Sequence, residues 1–377
     1  MRPLSSKLAA IAPSATIEIT DKARRLQAAG IDVISLSIGE PDFQTPAHIT
    51  QACIDALHRG ATHYAPGKGI PELLSAVAEK IDHENGFPCS PEQVIVTCGA
   101  KDAIYEACEA VLSQGDEAII LDPSWVSYEP CIQISGGIPV HHPLNPKNFQ
   151  VDDSLLEKIT DKTRMIIVNT PSNPSGSVLT RDSLRLVADI CTDHDLIALS
   201  DEIYEKLVYG QIHFSMGMFP GMPDRTITIN GFSKAYAMTG WRLGYAVAPK
   251  EVIGYMNRVQ QHTISHPTTF AMYGGLAALR GPQQCIEDMR AEFERRRTFV
   301  LDSLMAMGLS YAPADGAFYA YIRVEGDDVA IANRWLEEAH VAVTPGSAFN
   351  TPGWIRLSYA ASMETLDEAM RRISSVI

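Results

Sequence analysis

The chain has 377 residues, with 45 acidic and 31 basic side chains and a formal charge of −14. That length suggests two domains with ample material for a packed core, and 46% hydrophobic with 20% charged residues is ordinary for a globular protein. An acidic balance without a basic stripe argues against nucleic acid as a partner, and no run approaches the ~18 apolar residues of a membrane span.

The first 45 residues are loop-rich and precede any regular alternation, and a return to the C-terminal part of the fold is expected of them. From about residue 90 to 250 short apolar strands alternate with helical patterns. Gln93–Thr97, Glu117–Leu121, Arg164–Val168, Leu196–Ser200, Thr226–Asn230 and Leu243–Val247 read as buried strands, with amphipathic stretches Ala100–Leu112 and Arg181–His194 among them. Such alternation predicts a mainly parallel sheet covered on both faces. After Pro249 the texture changes. A long helical pattern at Pro282–Met307 and short strands at Ala317–Ile322 and Ile355–Tyr359 predict a smaller α+β unit. The expected division is an arm at 1–45 that joins the small domain, a large domain at 46–280 and a small domain at 281–377.

Seven cysteines, at 53, 89, 98, 108, 131, 191 and 285, form no CxxC pair and no zinc-like spacing. They read as reduced, buried thiols, and no metal site is expected. Met1–Lys7 lacks the apolar run of a signal peptide, which points to the cytoplasm.

In an open α/β sheet ligands bind beyond the carboxyl ends of the strands. Five strands here lead into unusual polar or aromatic groups: Cys98-Gly99-Ala100-Lys101, Asp122-Pro123-Ser124-Trp125, Asn169 to Gly176, Ser200 to Tyr204, and Asn230 to Lys234. Together they predict one site. A lysine at a strand end is ordinarily a solvated charge. Beside an arginine it can form an imine while the guanidinium grips a phosphate. No G-x-G-x-x-G fingerprint follows a strand, which disfavours a nicotinamide dehydrogenase, and Gly99-Ala100-Lys101 lacks the glycine and hydroxyl residue of a Walker loop.

The run Ser233-Lys234-Ala235-Tyr236-Ala237-Met238-Thr239-Gly240-Trp241-Arg242-Leu243-Gly244 resembles the pyridoxal-phosphate attachment segment of class I aminotransferases of fold type I. Ile38-Gly39-Glu40-Pro41-Asp42, Tyr64-Ala65-Pro66, Ser172-Asn173-Pro174-Ser175-Gly176, Ser200-Asp201-Glu202-Ile203-Tyr204 and Ile355-Arg356-Leu357-Ser358 match further family landmarks in order, so the resemblance spans essentially the whole chain. It implies an α/β fold: a large domain with a mainly parallel seven-stranded sheet sandwiched by helices, plus a smaller α+β domain. The implied cofactor is pyridoxal 5'-phosphate, carried as an imine on Lys234.

The remaining roles carry over residue by residue. Asp201 is expected at the protonated pyridine nitrogen, with Asn173 and Tyr204 at the phenolic oxygen and Trp125 stacked on the ring. Arg242, the Ser233 hydroxyl and the amides of Ala100 and Lys101 are expected to hold the phosphate, the amides at a helix N-terminus. Arg356 is expected to grip the substrate α-carboxylate, with Gly39 close by. Tyr64 is expected to reach the phosphate of a neighbouring subunit, which implies a homodimer with shared sites.

Pro13-Ser14-Ala15-Thr16 together with Lys101 resembles the bacterial aspartate aminotransferase subgroup, some of whose members use prephenate. Thr16 joins the substrate-binding set, and Lys101 is the expected cation for a distal carboxylate, against the plainer reading of an exposed first-turn lysine. The implied reaction moves an amino group between an L-amino acid, aspartate first and glutamate or the prephenate–arogenate pair after it, and a 2-oxo acid such as 2-oxoglutarate, by a ping-pong sequence. Position 12 is alanine where subgroup members can carry lysine, so aromatic or alanine-type donors stay open. A β-lyase or an aminocyclopropane-forming enzyme on the same fold is the alternative reaction class. A ligand-sensing regulator is disfavoured, since such regulators generally append a DNA-binding domain.

Overall fold

The computed structural model describes residues 5–9, 11 and 15–377. In chain order the strands are β1 (Ile34–Ser35), β2 (Val94–Thr97), β3 (Glu117–Asp122), β4 (Ile138–Pro143), β5 (Thr163–Asn169), β6 (Ile197–Asp201), β7 (Thr226–Gly231), β8 (Gly244–Val247), β9 (Tyr319–Arg323), β10 (Val341–Ala342), β11 (Thr344–Pro345) and β12 (Trp354–Ser358).

Strands β2 to β8 form one seven-stranded sheet in the order β2-β8-β7-β6-β5-β3-β4. Antiparallel pairing of β8 with both β7 and β2, and parallel pairing elsewhere, leave β8 alone running against the rest. Six of these strands stand where the apolar runs placed them, within about a residue at each end. Along β5 the side chains alternate between two cores. Ile166 and Val168 join Leu184, Val187 and Leu196 on one face, while Met165 and Ile167 join Ile104, Ala107 and Ile229 on the other. Period-2 alternation with both sides apolar is what a sheet covered by helices on two faces requires.

Helix Ala100–Val111 buries Ala103, Ile104, Ala107 and Cys108 against that second face. Helix Arg181–Asp193 covers the first face. Its N-terminus is capped by Thr180, whose hydroxyl accepts from the Ser183 amide at 3.2 Å and so satisfies one of the free donors of the first turn.

A second layer is built from β11-β12-β9, antiparallel throughout, under helices Gln284–Ala306 and Met363–Ser374. Phe293, Val300, Leu304, Leu366 and Ile373 close its core with Phe318, Ile322, Ile355 and Leu357. The N-terminal segment belongs to this layer. β1 pairs in parallel with β10, Ile34 opposite Val341, and Ala23 and Val33 pack with Leu336 and Ala342. Residues from opposite ends of the chain therefore stand side by side where the two layers meet.

Candidate active site

At the junction of the two layers, beyond the carboxyl ends of the large sheet, lies a cavity of about 630 Å³. Asn169, Asp201, Ser233 and Lys234 reach it from the ends of β5, β6 and β7, and Ala100, Lys101, Trp125 and Tyr128 from the turns after β2 and β3. Ser37, Gly39 and Glu40 close one side from the N-terminal segment, and Tyr319 and Arg356 line it from β9 and β12.

Asp201 sits at the end of β6, 3% exposed. Its Oδ2 accepts the Tyr128 hydroxyl at 2.7 Å and its Oδ1 accepts the Ile203 amide at 3.2 Å. Burial raises the carboxyl to about 6, and the two hydrogen bonds resist that rise by favouring the ionised form. The backbone is pinned as well, because Asn169 on β5, in register with Asp201, donates its side-chain amide to the Asp201 carbonyl at 3.0 Å. The same Asn169 side chain accepts the Asn173 amide at 2.8 Å and thereby shapes the turn that presents Asn173.

Lys234 stands at the end of β7 with its amine donating to the Gly39 carbonyl at 2.6 Å. Its remaining exposure is to the cavity. Burial pulls the amine down to about 8, and the charges of Arg356 and Arg242 push the same way, against Glu40 and Asp201. An amine so placed is neutral in about a tenth of molecules at pH 7, far more than an ordinary lysine, which suits a nucleophile or general base.

Cationic groups without anionic partners mark two positions in the cavity. At one, Arg242 points its guanidinium at carbonyls only, Thr239 at 2.9 Å and Cys98 at 3.4 Å, and forms no ion pair among the described residues. Next to it, helix Ala100–Val111 begins, and the Ala100 and Lys101 amides have no protein acceptor among the described residues. Gly99 precedes them at φ +85°, and a Cβ there would come within 2.8 Å of Arg242 Nη2. Free amides, a helix dipole and an unpaired guanidinium around one spot form an anion seat.

At the other, Arg356 is 4% exposed. It donates to Asn173 Oδ1 at 2.8 Å, to the Ser37 carbonyl at 2.5 Å and to Thr344 Oγ1 at 3.4 Å, while its Nε has no partner. It lies between the rings of Tyr319 and Phe349, 4.7 and 4.9 Å from their centroids. No carboxylate of the described residues pairs with this guanidinium. A buried cation so arranged calls for an anionic ligand.

Residues 31–373 match the family "Aminotransferase class I and II". The chain belongs to that family. It is 42% identical, over 100% of its own length and 99% of the relative's, to an aspartate/prephenate aminotransferase of Thermus thermophilus. It is 42% identical, over 99% and 98% of the two chains, to aromatic-amino-acid aminotransferase 2 of Thermococcus litoralis. Among solved structures, aspartate aminotransferase from Thermus thermophilus with maleate superposes with a TM-score of 0.97 at 42% identity, covering 100% of both chains.

Of the residues singled out in the sequence of this aminotransferase, Lys234, Asp201, Tyr204, Ala100, Lys101, Trp125, Asn173, Ser233, Arg242, Gly39 and Arg356 all line the one cavity. Tyr64 lies away from it, 92% exposed and edge-on to His266 at 5.7 Å. The Thr16 side chain and the Ala12-Pro13-Ser14 stretch lie outside the described residues. Two contacts differ from expectation in partner. The Asn173 oxygen is taken by Arg356, which leaves its Nδ2 as the free donor, and the Tyr204 hydroxyl meets the Tyr319 hydroxyl at 2.8 Å. Lys101 is exposed, as its first-turn position implied, yet its amine rests 4.9 Å from the centroid of the Trp125 ring at the cavity wall.

Tyr128 and Tyr319 were not singled out in the sequence, and Asn169 was marked only as the first residue of a strand-end run. Tyr128 had a signal, standing three residues beyond Trp125. Tyr319 had none, because only the pairing of β9 with β12 brings it to Arg356.

Proposed function

We propose that this aminotransferase moves the amino group of a dicarboxylic L-amino acid, aspartate first, to a 2-oxo acid such as 2-oxoglutarate, using pyridoxal 5'-phosphate. The observation that carries the reading is Arg356, a buried guanidinium with no acidic partner among the described residues, facing the same cavity as the lowered amine of Lys234.

The residues present fit the cofactor. The anion seat of Arg242, Ser233 and the helix N-terminus suits a phosphate, and the buried Asp201 suits a ring nitrogen that must stay protonated. Lys234 has an amine whose lowered pKa suits condensation with an aldehyde, and Gly99 leaves space that a Cβ would close. Bound there, pyridoxal phosphate supplies an electron sink for the pair left behind when a substrate α-C–H bond breaks.

The chain's own groups then divide the work. Arg356 takes the substrate α-carboxylate in its planar fork, which orients the α-carbon toward Lys234. With the cofactor bound, Lys234 Nζ would be the base that takes the substrate α-proton, and its lowered pKa suits it to accept and give up a proton near neutral pH. Tyr128 and the Ile203 amide hold Asp201 ionised against its burial. Asn173 Nδ2 and the Tyr204 hydroxyl are the neutral donors for the ring's phenolic oxygen. Trp125 supplies a flat wall for the ring.

Aspartate is favoured because Lys101 stands on Trp125 with no carboxylate partner among the described residues, and because relatives with that activity in their names share the whole length. Maleate in the name of one solved neighbour is itself a dicarboxylate. Prephenate in the names of some relatives supports testing it as a 2-oxo acid acceptor. Aromatic donors are the second reading, supported by the equally similar Thermococcus litoralis relative. A panel of amino donors against 2-oxoglutarate, repeated with Lys101→Ala, decides between them. On the aspartate reading, kcat/KM for aspartate falls about tenfold or more while alanine is little changed, as loss of a charge-assisted contact demands. Unaltered aspartate turnover contradicts it.

We further infer a cytoplasmic homodimer divided at 1–45, 46–280 and 281–377. The resemblance of Tyr64-Ala65-Pro66 to the family's subunit-bridging tyrosine supports the dimer, and Tyr64 is 92% exposed on a single chain, open to such a contact. The seven unpaired cysteines support a reducing compartment.

A further inference from the structure

We propose that Tyr319 is a positioning residue for Tyr204: its hydroxyl donates to the Tyr204 oxygen and so leaves the Tyr204 proton directed into the cavity. The proposal rests on the reading of the site as a pyridoxal-phosphate site.

The two hydroxyls are 2.8 Å apart, both rings are buried, and neither oxygen has another protein partner among the described residues. One proton is used between them and the other is free. Which phenol donates is settled by which is the more acidic. Arg356, always charged, lies 4.7 Å from the Tyr319 ring centroid and polarises its O–H. The position follows from the sheet. Arg356 on β12 is opposite Tyr321 on β9, so Tyr319, two residues along, shares its face as a diagonal neighbour. The cation over Tyr204 is Lys234, at 5.9 Å from the ring centroid, and its amine is pulled toward the neutral form.

The hydroxyl of Tyr319 is also held in place. A Cβ on Gly39 would collide with it, so the bare backbone of Gly39 is the surface against which Tyr319 rests. The same Gly39 accepts from Lys234. Gly39, Tyr319, Tyr204 and Lys234 thus form one contiguous cluster, and Tyr319 acts in it through Tyr204 without touching a reacting atom.

The test is a double-mutant cycle on the protein loaded with pyridoxal phosphate, with Tyr319→Phe, Tyr204→Phe and the pair together. The ring is kept in each variant, so the core is not emptied. The first readout is the pH midpoint of the cofactor's absorption band. A donor to the phenolic oxygen favours the unprotonated chromophore, so weakening Tyr204 moves the midpoint up. Tyr319→Phe is expected to raise it by about half a pH unit or more and to lower kcat about fivefold, in line with one lost hydrogen bond. In the Tyr204→Phe background the same substitution is expected to do neither. A midpoint that falls means that Tyr204 is the donor, and equal shifts in both backgrounds, or none in either, mean that Tyr319 does not act through Tyr204. Each overturns the proposal. The second readout needs no cofactor: in ring-labelled apoprotein, the hydroxyl-bearing carbon of Tyr204 is expected to shift on Tyr319→Phe, and an unmoved signal refutes the pair. Failure of the unsubstituted protein to take up pyridoxal phosphate overturns the cofactor reading and, with it, the role of Tyr319 toward that cofactor, while the apoprotein signal still reports on the bond.

Discussion

Asp201 is a carboxylate with only 3% of its surface exposed, and the fold bears a cost for that. Its folded-state value of about 6 lies above the ordinary aspartate range, so between about pH 4 and pH 6 the folded protein holds the proton that the unfolded chain has released. Stability therefore falls as pH rises through that window, and above it the ionised group costs on the order of 3 kcal/mol in the cofactor-free protein. Asp201→Asn is expected to remove that cost: the apoprotein becomes more stable at pH 7 by up to about 3 kcal/mol, and the gain vanishes near pH 4. Urea unfolding at the two pH values checks this, and a loss of stability at pH 7 would contradict it. The same substitution is expected to abolish most transamination, since an amide cannot balance a protonated ring nitrogen. Residues of this kind were legible because each stands at a strand's end beside a family landmark. Tyr128 and Tyr319 were less so, because their meaning lies in what they touch, and contact is settled by packing.

The start of helix Ala100–Val111 is the element most specialised for binding. Gly99 has φ +85° with ψ 166°, a conformation essentially reserved for glycine that a side chain opposes by roughly 1–3 kcal/mol, and its missing Cβ is what lets Arg242 approach. Gly99→Ala is expected to weaken pyridoxal phosphate binding about tenfold or more without unfolding the helix, whose buried face is untouched. Equilibrium binding to the apoprotein with circular dichroism decides it; unchanged affinity would show that the phosphate seat lies elsewhere. At this scale the sequence was largely readable. Apolar runs buried on both faces mark β2, β3 and β5 to β8 with little ambiguity. Strand β4 was not seen, and the reason is physical: Ile138–Pro143 carries Pro139, Pro143 and two histidines, a composition tolerated because β4 pairs only with β3 at the sheet's edge.

Over the whole molecule, the net charge of −14 hides a cavity into which Lys101, Lys234, Arg242 and Arg356 converge. Overall charge speaks for solubility and association, while a few placed cations decide what binds. The joining of the N-terminal segment to the C-terminal layer was legible only as a break in pattern. The pairing of β1 with β10, two residues each, is too short to announce itself, yet it carries Ser37 and Gly39 to the cavity wall. The site thus depends on parts of the chain more than three hundred residues apart, as the bond from Arg356 to the Ser37 carbonyl makes plain.

Every role assigned above depends on the amine of Lys234. The most direct measurement is the absorption spectrum of the purified protein, with pyridoxal phosphate added, beside that of Lys234→Ala. A yellow band whose intensity changes with pH is expected in the first and is expected to be missing from the second, with borohydride fixing the cofactor's mass to the peptide that contains Lys234. An identical spectrum from the two proteins, or the added mass on another lysine, would contradict the account.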